Sequence, residues 1–197
     1  MRVFPGIAIV FLSIWNVSCG TYTTTHVKDF AIYVESDDDD INETIRVLAD
    51  EYNEDFGGEA ITIVDSEDES NSSIGFISGL KSRENKLGLG QWITVTSQEG
   101  QNLVGSTDTE LEKTIVYSME LDFDLQNFES KMDSRDNKSD GDWRHLYHLF
   151  CHEVGHGLQM VHEANRLSVM YKSIPDQSRR GVDYAGYFEN ARNFFRD

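Results

Sequence analysis

His152-Glu153-Val154-Gly155-His156-Gly157-Leu158-Gln159-Met160-Val161-His162 is the stretch that decides how this chain of 197 residues is read. It closes a segment in which Trp143, Leu146, Leu149, Phe150, Val154 and Leu158 recur at helical spacing, predicting a long helix from about Gly141 to Met160. Four residues are about one turn, so His152 and His156 project from one face toward a single point, with Glu153 beside it. Such a pair suits a zinc ion, which takes neutral imidazole nitrogens and keeps a position for water, while the carboxylate accepts that water's proton. The pair alone is weak evidence, since a random chain of this length would contain it with a probability on the order of one per cent. A third donor is needed. His162, six residues after His156, is the first candidate; Glu189, in a later helical segment with Asn193, is the rival, and Glu163 ranks below both. His145 and His148, earlier on the helix, read as packed or hydrogen-bonded side chains rather than ligands. Met170 taken alone also reads as a core filler.

The stretch from His152 to His162, followed by Ser168-Val169-Met170-Tyr171, resembles the zinc site and Met-turn of the metzincin peptidases. The matrixin branch is the most similar, because methionine follows the last histidine by eight residues and tyrosine comes directly after it. The resemblance covers about twenty residues. It implies one catalytic zinc ion held by His152, His156 and His162, Glu153 as general base, and Met170 as the apolar floor beneath the metal. It implies further that the residues after Tyr171 line the primary specificity pocket, and that substrate binds extended along an edge strand, for which Gln91–Ser97 is the candidate. One position departs from the pattern. Gln159 stands where these families carry the glycine that ends the helix in a left-handed conformation, which costs a non-glycine residue roughly 1–2 kcal/mol. Zinc binding supplies on the order of 10 kcal/mol, enough to offset it. An earlier relaxation of the helix at Gly157, which would shift His162, is the other outcome.

Upstream, period-two apolar stretches separated by turn residues predict a sheet with one early helix between Lys28 and Asp122. Strands are expected at Phe30–Val34, Ala60–Val64, Ser73–Ser78, Gln91–Ser97 and Thr114–Leu121. Ile41, Ile45, Leu48, Tyr52 and Phe56 form a helical stripe, with Asp40 as N-cap and Gly57-Gly58 as terminator. Tyr184, Tyr187, Phe188, Ala191, Phe194 and Phe195 predict a C-terminal helix packed on the core. The expected class is α+β and metzincin-like: a mixed twisted sheet with an early helix, a long active-site helix, a Met-turn and a C-terminal helix.

Residues 1–18 have the layout of a secretory signal peptide: Arg2, then an apolar run from Ile7 to Trp15, then small or polar residues. That run is too short to span a bilayer. Val17-Ser18-Cys19-Gly20 admits two readings, a lipoprotein site at which Cys19 is lipidated, or ordinary signal cleavage near Ser18 to Gly20. Residues 19–27 then form a short N-terminal linker, in which His26 has no specific role, and residues 28–197 a single catalytic domain. About nine residues between Cys19 and the first strand are too few for a folded inhibitory prodomain, and no cysteine-switch sequence appears, so activity without large proteolytic activation is expected. Cys151, in the middle of an apolar helix, reads as a small buried thiol rather than a bridge to Cys19.

The chain carries 17 basic and 35 acidic residues, a formal charge of −18. Such a surface repels nucleic acid. Taken as a whole it attracts basic substrates, through a long-range field that salt screens. The clusters Asp37-Asp38-Asp39-Asp40 and Asp65-Ser66-Glu67-Asp68-Glu69 read as solvated loops. Asp133–Asp142 is rich in oxygen donors, but Lys138 interrupts the alternation of a calcium loop, and no metal is assigned there. The expectation is therefore an exported, monomeric zinc endopeptidase that acts on protein or peptide substrates and touches a membrane only through an N-terminal lipid. The alternative is a non-catalytic, zinc-stabilised surface binding lipoprotein, which would have no use for Glu153.

Overall fold

The structure, a computed structural model, describes residues 22–84, 86–102, 109–174 and 181–196. The signal segment 1–18 and Cys19 lie outside the described residues.

Parallel strands need a crossover to return the chain, and the early helical stripe provides the first one. Strand β2 (Phe30–Val34) leads into α1 (Asp39–Phe56), which returns to β3 (Ile61–Val64), parallel to β2. Helix α1 buries Ile41, Ile45, Leu48 and Tyr52. Its N-cap is Asp38, two residues before the expected Asp40, because the Asp38 carboxylate accepts from the Asp40 and Ile41 amides. Gly57 ends it at φ 83°, its N–H bonding back to Asn53 as a left-handed cap.

β4 (Ser72–Ile77) and the short α2 (Leu80–Glu84) precede two long strands, β5 (Gly88–Asn102) and β6 (Thr109–Asp124). Strand order is β1-β6-β4-β2-β3, where β1 is Tyr22–Val27, and β5 pairs with β6 as well. Every pairing is parallel except β5 with β6. Since β1 and β4 meet successive parts of β6, β5 takes its other edge and forms one boundary of the sheet among the described residues, with β3 at another. The strands expected at Gln91–Ser97 and Thr114–Leu121 form at those places but run further in both directions, because antiparallel pairing persists along Thr, Ser, Gln and Glu residues that give no apolar alternation.

Three strands or α-helices depart from expectation, the first being the five-residue α2, of which only Leu80 is buried. Tyr22–Val27, read as linker, is a strand, because its β-branched threonines pair with an open edge of β6. His26 therefore has a partner, its Nδ1 lying 3.1 Å from the Tyr117 hydroxyl. The eight residues of α3 (Leu125–Met132) went unread because only Asn127 and Phe128 are buried; the helix starts where the Asp124 carboxylate accepts from the Asn127 amide.

Helix α4 (Gly141–Gly157) buries almost every side chain, and α5 (Tyr184–Arg196) packs beside α1 and α4. Three polar ties fix α4: Trp143 Nε1–H to the Glu51 carboxylate at 2.8 Å, the Tyr147 hydroxyl to Asp55 at 2.6 Å, and the Tyr187 hydroxyl to the Cys151 carbonyl at 2.6 Å. Cys151 itself is buried and its thiol free. The chain is thus a mixed α/β protein with a mostly parallel six-stranded sheet and five α-helices among the described residues. No helix among them is long and apolar enough to cross a membrane.

Phe150 is fully buried on α4, edge-on to Tyr52 and stacked on Phe123 of β6. Phe150→Ala is expected to lower unfolding free energy by about 3–5 kcal/mol in urea titration.

Candidate metal centre

Helix α4 stops at Gly157, three residues short of the predicted end, and the manner of its stop makes the site. Gln159 takes the left-handed position at φ 64°, with its N–H bonded to the His156 carbonyl and the Met160 N–H to the Gly155 carbonyl. These two bonds are the paired closure of a Schellman turn, with glutamine in the usual place of glycine. The reversal therefore falls at Gln159. Gly157 instead gives close packing, since a Cβ there would lie 2.8 Å from Met119 Cβ on β6.

The reversed chain brings His162 back to the helix. The donor atoms of His152, His156 and His162 all lie within 4.8 Å of one another, and this trio can hold a metal ion. His156 Nε2 and His162 Nε2 face each other at 3.2 Å. Two nitrogens bound tetrahedrally to one ion at 2.0–2.1 Å stand about 3.3 Å apart, so this spacing fits a shared metal. Glu189 and Glu163, the rival donors, are exposed and are not part of the cluster.

Tautomers are set from behind. His152 Nδ1 lies 2.8 Å from the Val169 carbonyl and His156 Nδ1 3.0 Å from the Met160 carbonyl. A carbonyl only accepts, so each Nδ1 carries the proton and each Nε2 presents a lone pair to the metal position. Burial, reinforced by the neighbouring imidazoles, lowers the His152 pKa to about 4, and burial also lowers that of His156. Both are held in the neutral form that a metal requires.

The Val169 carbonyl belongs to a tight turn, Ser168 to Tyr171, closed by the Tyr171 N–H on the Ser168 carbonyl and by the Met170 N–H on Ser168 Oγ. Met170 is buried, with its Sδ only 2.4 Å from where a Cβ of Gly155 would stand, so it packs against the backbone between the two helical histidines. His148 shares the Val169 acceptor, its Nε2 at 3.3 Å, and is structural. His145 is fully buried on the same helix and likewise outside the cluster.

Glu153 is 4 % exposed and covered by β5. A Cβ at Gly88 would sit 2.6 Å from Glu153 Oε1, and one at Gly90 would sit 2.3 Å from the Glu153 carbonyl oxygen. Only glycine at both positions lets the strand cross the helix this closely. Burial pushes the Glu153 carboxyl up to about 8, opposed by a hydrogen bond from the Gly90 backbone and by the positive charge of Lys86. The site opens into a cleft of about 620 Å³ between β5, α4 and the segment after the turn, with Leu149, Ile174 and Lys172 among its walls. Lys172 and Ile174 fall in the segment after Tyr171 that was expected to line a pocket, whereas Gly88, Gly90 and Lys86 were not read from the sequence as site residues. Two glycines two residues apart on a strand were the available signal, since they share a face.

No protein-family model matches this chain, and no match is found among curated proteins. The functional reading therefore rests on the chemistry of the site.

Two outcomes follow for the isolated protein. Replacing Gln159 by glycine removes the left-handed penalty, and Gln159→Gly is expected to raise unfolding free energy by about 1 kcal/mol in urea titration. For the metal-free chain, the native carboxyl of Glu153 holds its proton up to about pH 8 whereas the unfolded one releases it near 4.5, so stability falls as pH rises through that window. Glu153→Gln removes this term: the metal-free variant should match wild type near pH 4.5 and exceed it by at least about 1 kcal/mol at pH 8.

Proposed function

We propose that this chain is an exported zinc-dependent endopeptidase of the metzincin type. The observation that carries the reading is the convergence of three imidazoles, two of them with Nδ1 held by carbonyls, beside a buried carboxyl in an open cleft. His152, His156 and His162 would hold the ion, and a set of three nitrogen donors suits catalytic zinc. The fold type is supported by three further features: the left-handed turn at Gln159, Met170 packed beneath the histidine pair, and a single antiparallel strand bounding the sheet above the active-site helix.

When bound, zinc would acidify a water and polarise the substrate carbonyl. Glu153 follows His152 directly on α4 and lines the same cleft, placed to take a proton from that water and return it to the leaving amine. Its burial under Gly88 and Gly90 keeps bulk solvent from its carboxyl, and the Gly90 backbone bond orients it. The outer edge of β5, where Trp92 is 50 % and Ile93 36 % exposed, gives an extended peptide backbone partners beside the metal position. Export, and the choice between lipidation at Cys19 and release, are proposed from the signal-like N-terminus.

Glu153→Ala is expected to bind zinc stoichiometrically and to lose casein or peptide hydrolysis by at least about a hundredfold, whereas His162→Ala loses both. Metal analysis beside a digest with and without chelator reads both. A wild-type protein that binds zinc yet hydrolyses nothing would return the chain to the class of zinc-stabilised binding proteins.

A further inference from the structure

The cleft differs in charge from the rest of the molecule. Acidic residues outnumber basic ones 35 to 17 over the chain, yet among the described residues the cleft is lined by Lys81, Lys86 and Lys172, and Glu153, which the proposed chemistry already uses, is the only acidic one. The lysines come from separate places: Lys81 from α2, Lys86 from the approach to β5, and Lys172 from the segment after the Met170 turn. Leu149 and Ile174 add apolar lining to the same cleft. Lys86 also pairs with Glu84 at 3.1 Å, but both side chains are about half exposed, and such a pair is easily exchanged for a substrate carboxylate.

Resting on the peptidase reading above, we propose that this cleft selects substrates carrying a carboxylate next to the scissile bond, received by the ammonium groups of Lys86 and Lys172. An apolar-walled pocket with charge at its rim suits a side chain such as glutamate, whose methylenes lie against Leu149 and Ile174 while its carboxylate reaches the lysines. The overall charge taken alone points the opposite way, toward basic substrates. At about 0.15 M salt, however, the screening length is about 8 Å, so charges across the surface are damped while those lining the cleft still act. Local lining, not net charge, then sets specificity.

The test uses the zinc-loaded full mature protein and quenched peptides identical except for Glu, Gln or Lys at either residue flanking the cleaved bond, each with a free or an amidated C-terminus, at 0.15 M salt. The expected result is kcat/KM higher for Glu than for Lys by on the order of tenfold or more, with Gln between them. Lys86→Glu with Lys172→Glu should reverse the order, and the corresponding Lys→Gln pair should flatten it. Discrimination that survives amidation assigns the carboxylate to a side chain, and discrimination lost on amidation assigns it to a chain terminus; either supports the proposal. Equal cleavage of all three peptides, or an order unchanged in both lysine double variants, overturns it and leaves the peptidase reading standing. Absence of cleavage of every peptide and of casein, with zinc bound, overturns both.

Discussion

The site depends on one backbone reversal. Two histidines a turn apart on a helix define a direction but cannot enclose an ion, and a helix that continued would carry the next histidine away from it. The paired bonds from Gln159 to His156 and from Met160 to Gly155 stop α4 and turn the chain, so that His162 Nε2 arrives 3.2 Å from His156 Nε2. The residue at the pivot is held at φ 64°, a conformation that costs a glutamine more than a glycine. The same turn delivers the Met160 carbonyl to His156 Nδ1, so reversal and tautomer are fixed by one piece of backbone.

Around this reversal the helix is clamped from three sides. The turn at Ser168 to Tyr171 reaches His152 through the Val169 carbonyl and fills the space at Gly155 with Met170. Helix α5 holds the Cys151 carbonyl through Tyr187, and α1 holds Trp143 and Tyr147 through Glu51 and Asp55. Strand β5 closes the third side at Gly88 and Gly90. The clamp buries Glu153 in an environment that resists its ionisation. Such a placement is costly to the fold, and perturbed carboxyls of this kind cluster at functional sites.

Much of the site was legible because helical spacing is a local property. The apolar recurrence from Trp143 to Leu158 predicted α4, and the four-residue step placed His152 and His156 on one face before any tertiary contact was known. The stripe from Ile41 to Tyr52 gave α1 in the same way, to within two residues at its start. Tyr22–Val27 was missed because threonine-rich strands owe their pairing to a partner's open edge, and α3 because only two of its eight side chains are buried. The extensions of β5 and β6 were missed for the first of these reasons: pairing sustains them where apolar alternation does not.

By itself the sequence determined which residues have metal-ligand and proton-transfer chemistry and which of them ride on the same helix, since identity and periodicity are fixed along the chain. Tertiary structure alone decided that His162, rather than Glu189 or Glu163, joins His152 and His156, because the choice turns on where one left-handed residue redirects the backbone. It also decided that Gly88 and Gly90 lie on Glu153 and that Lys81, Lys86 and Lys172 share its cleft, because residues far apart in the chain acquire a common field only when packing brings them within a few ångströms.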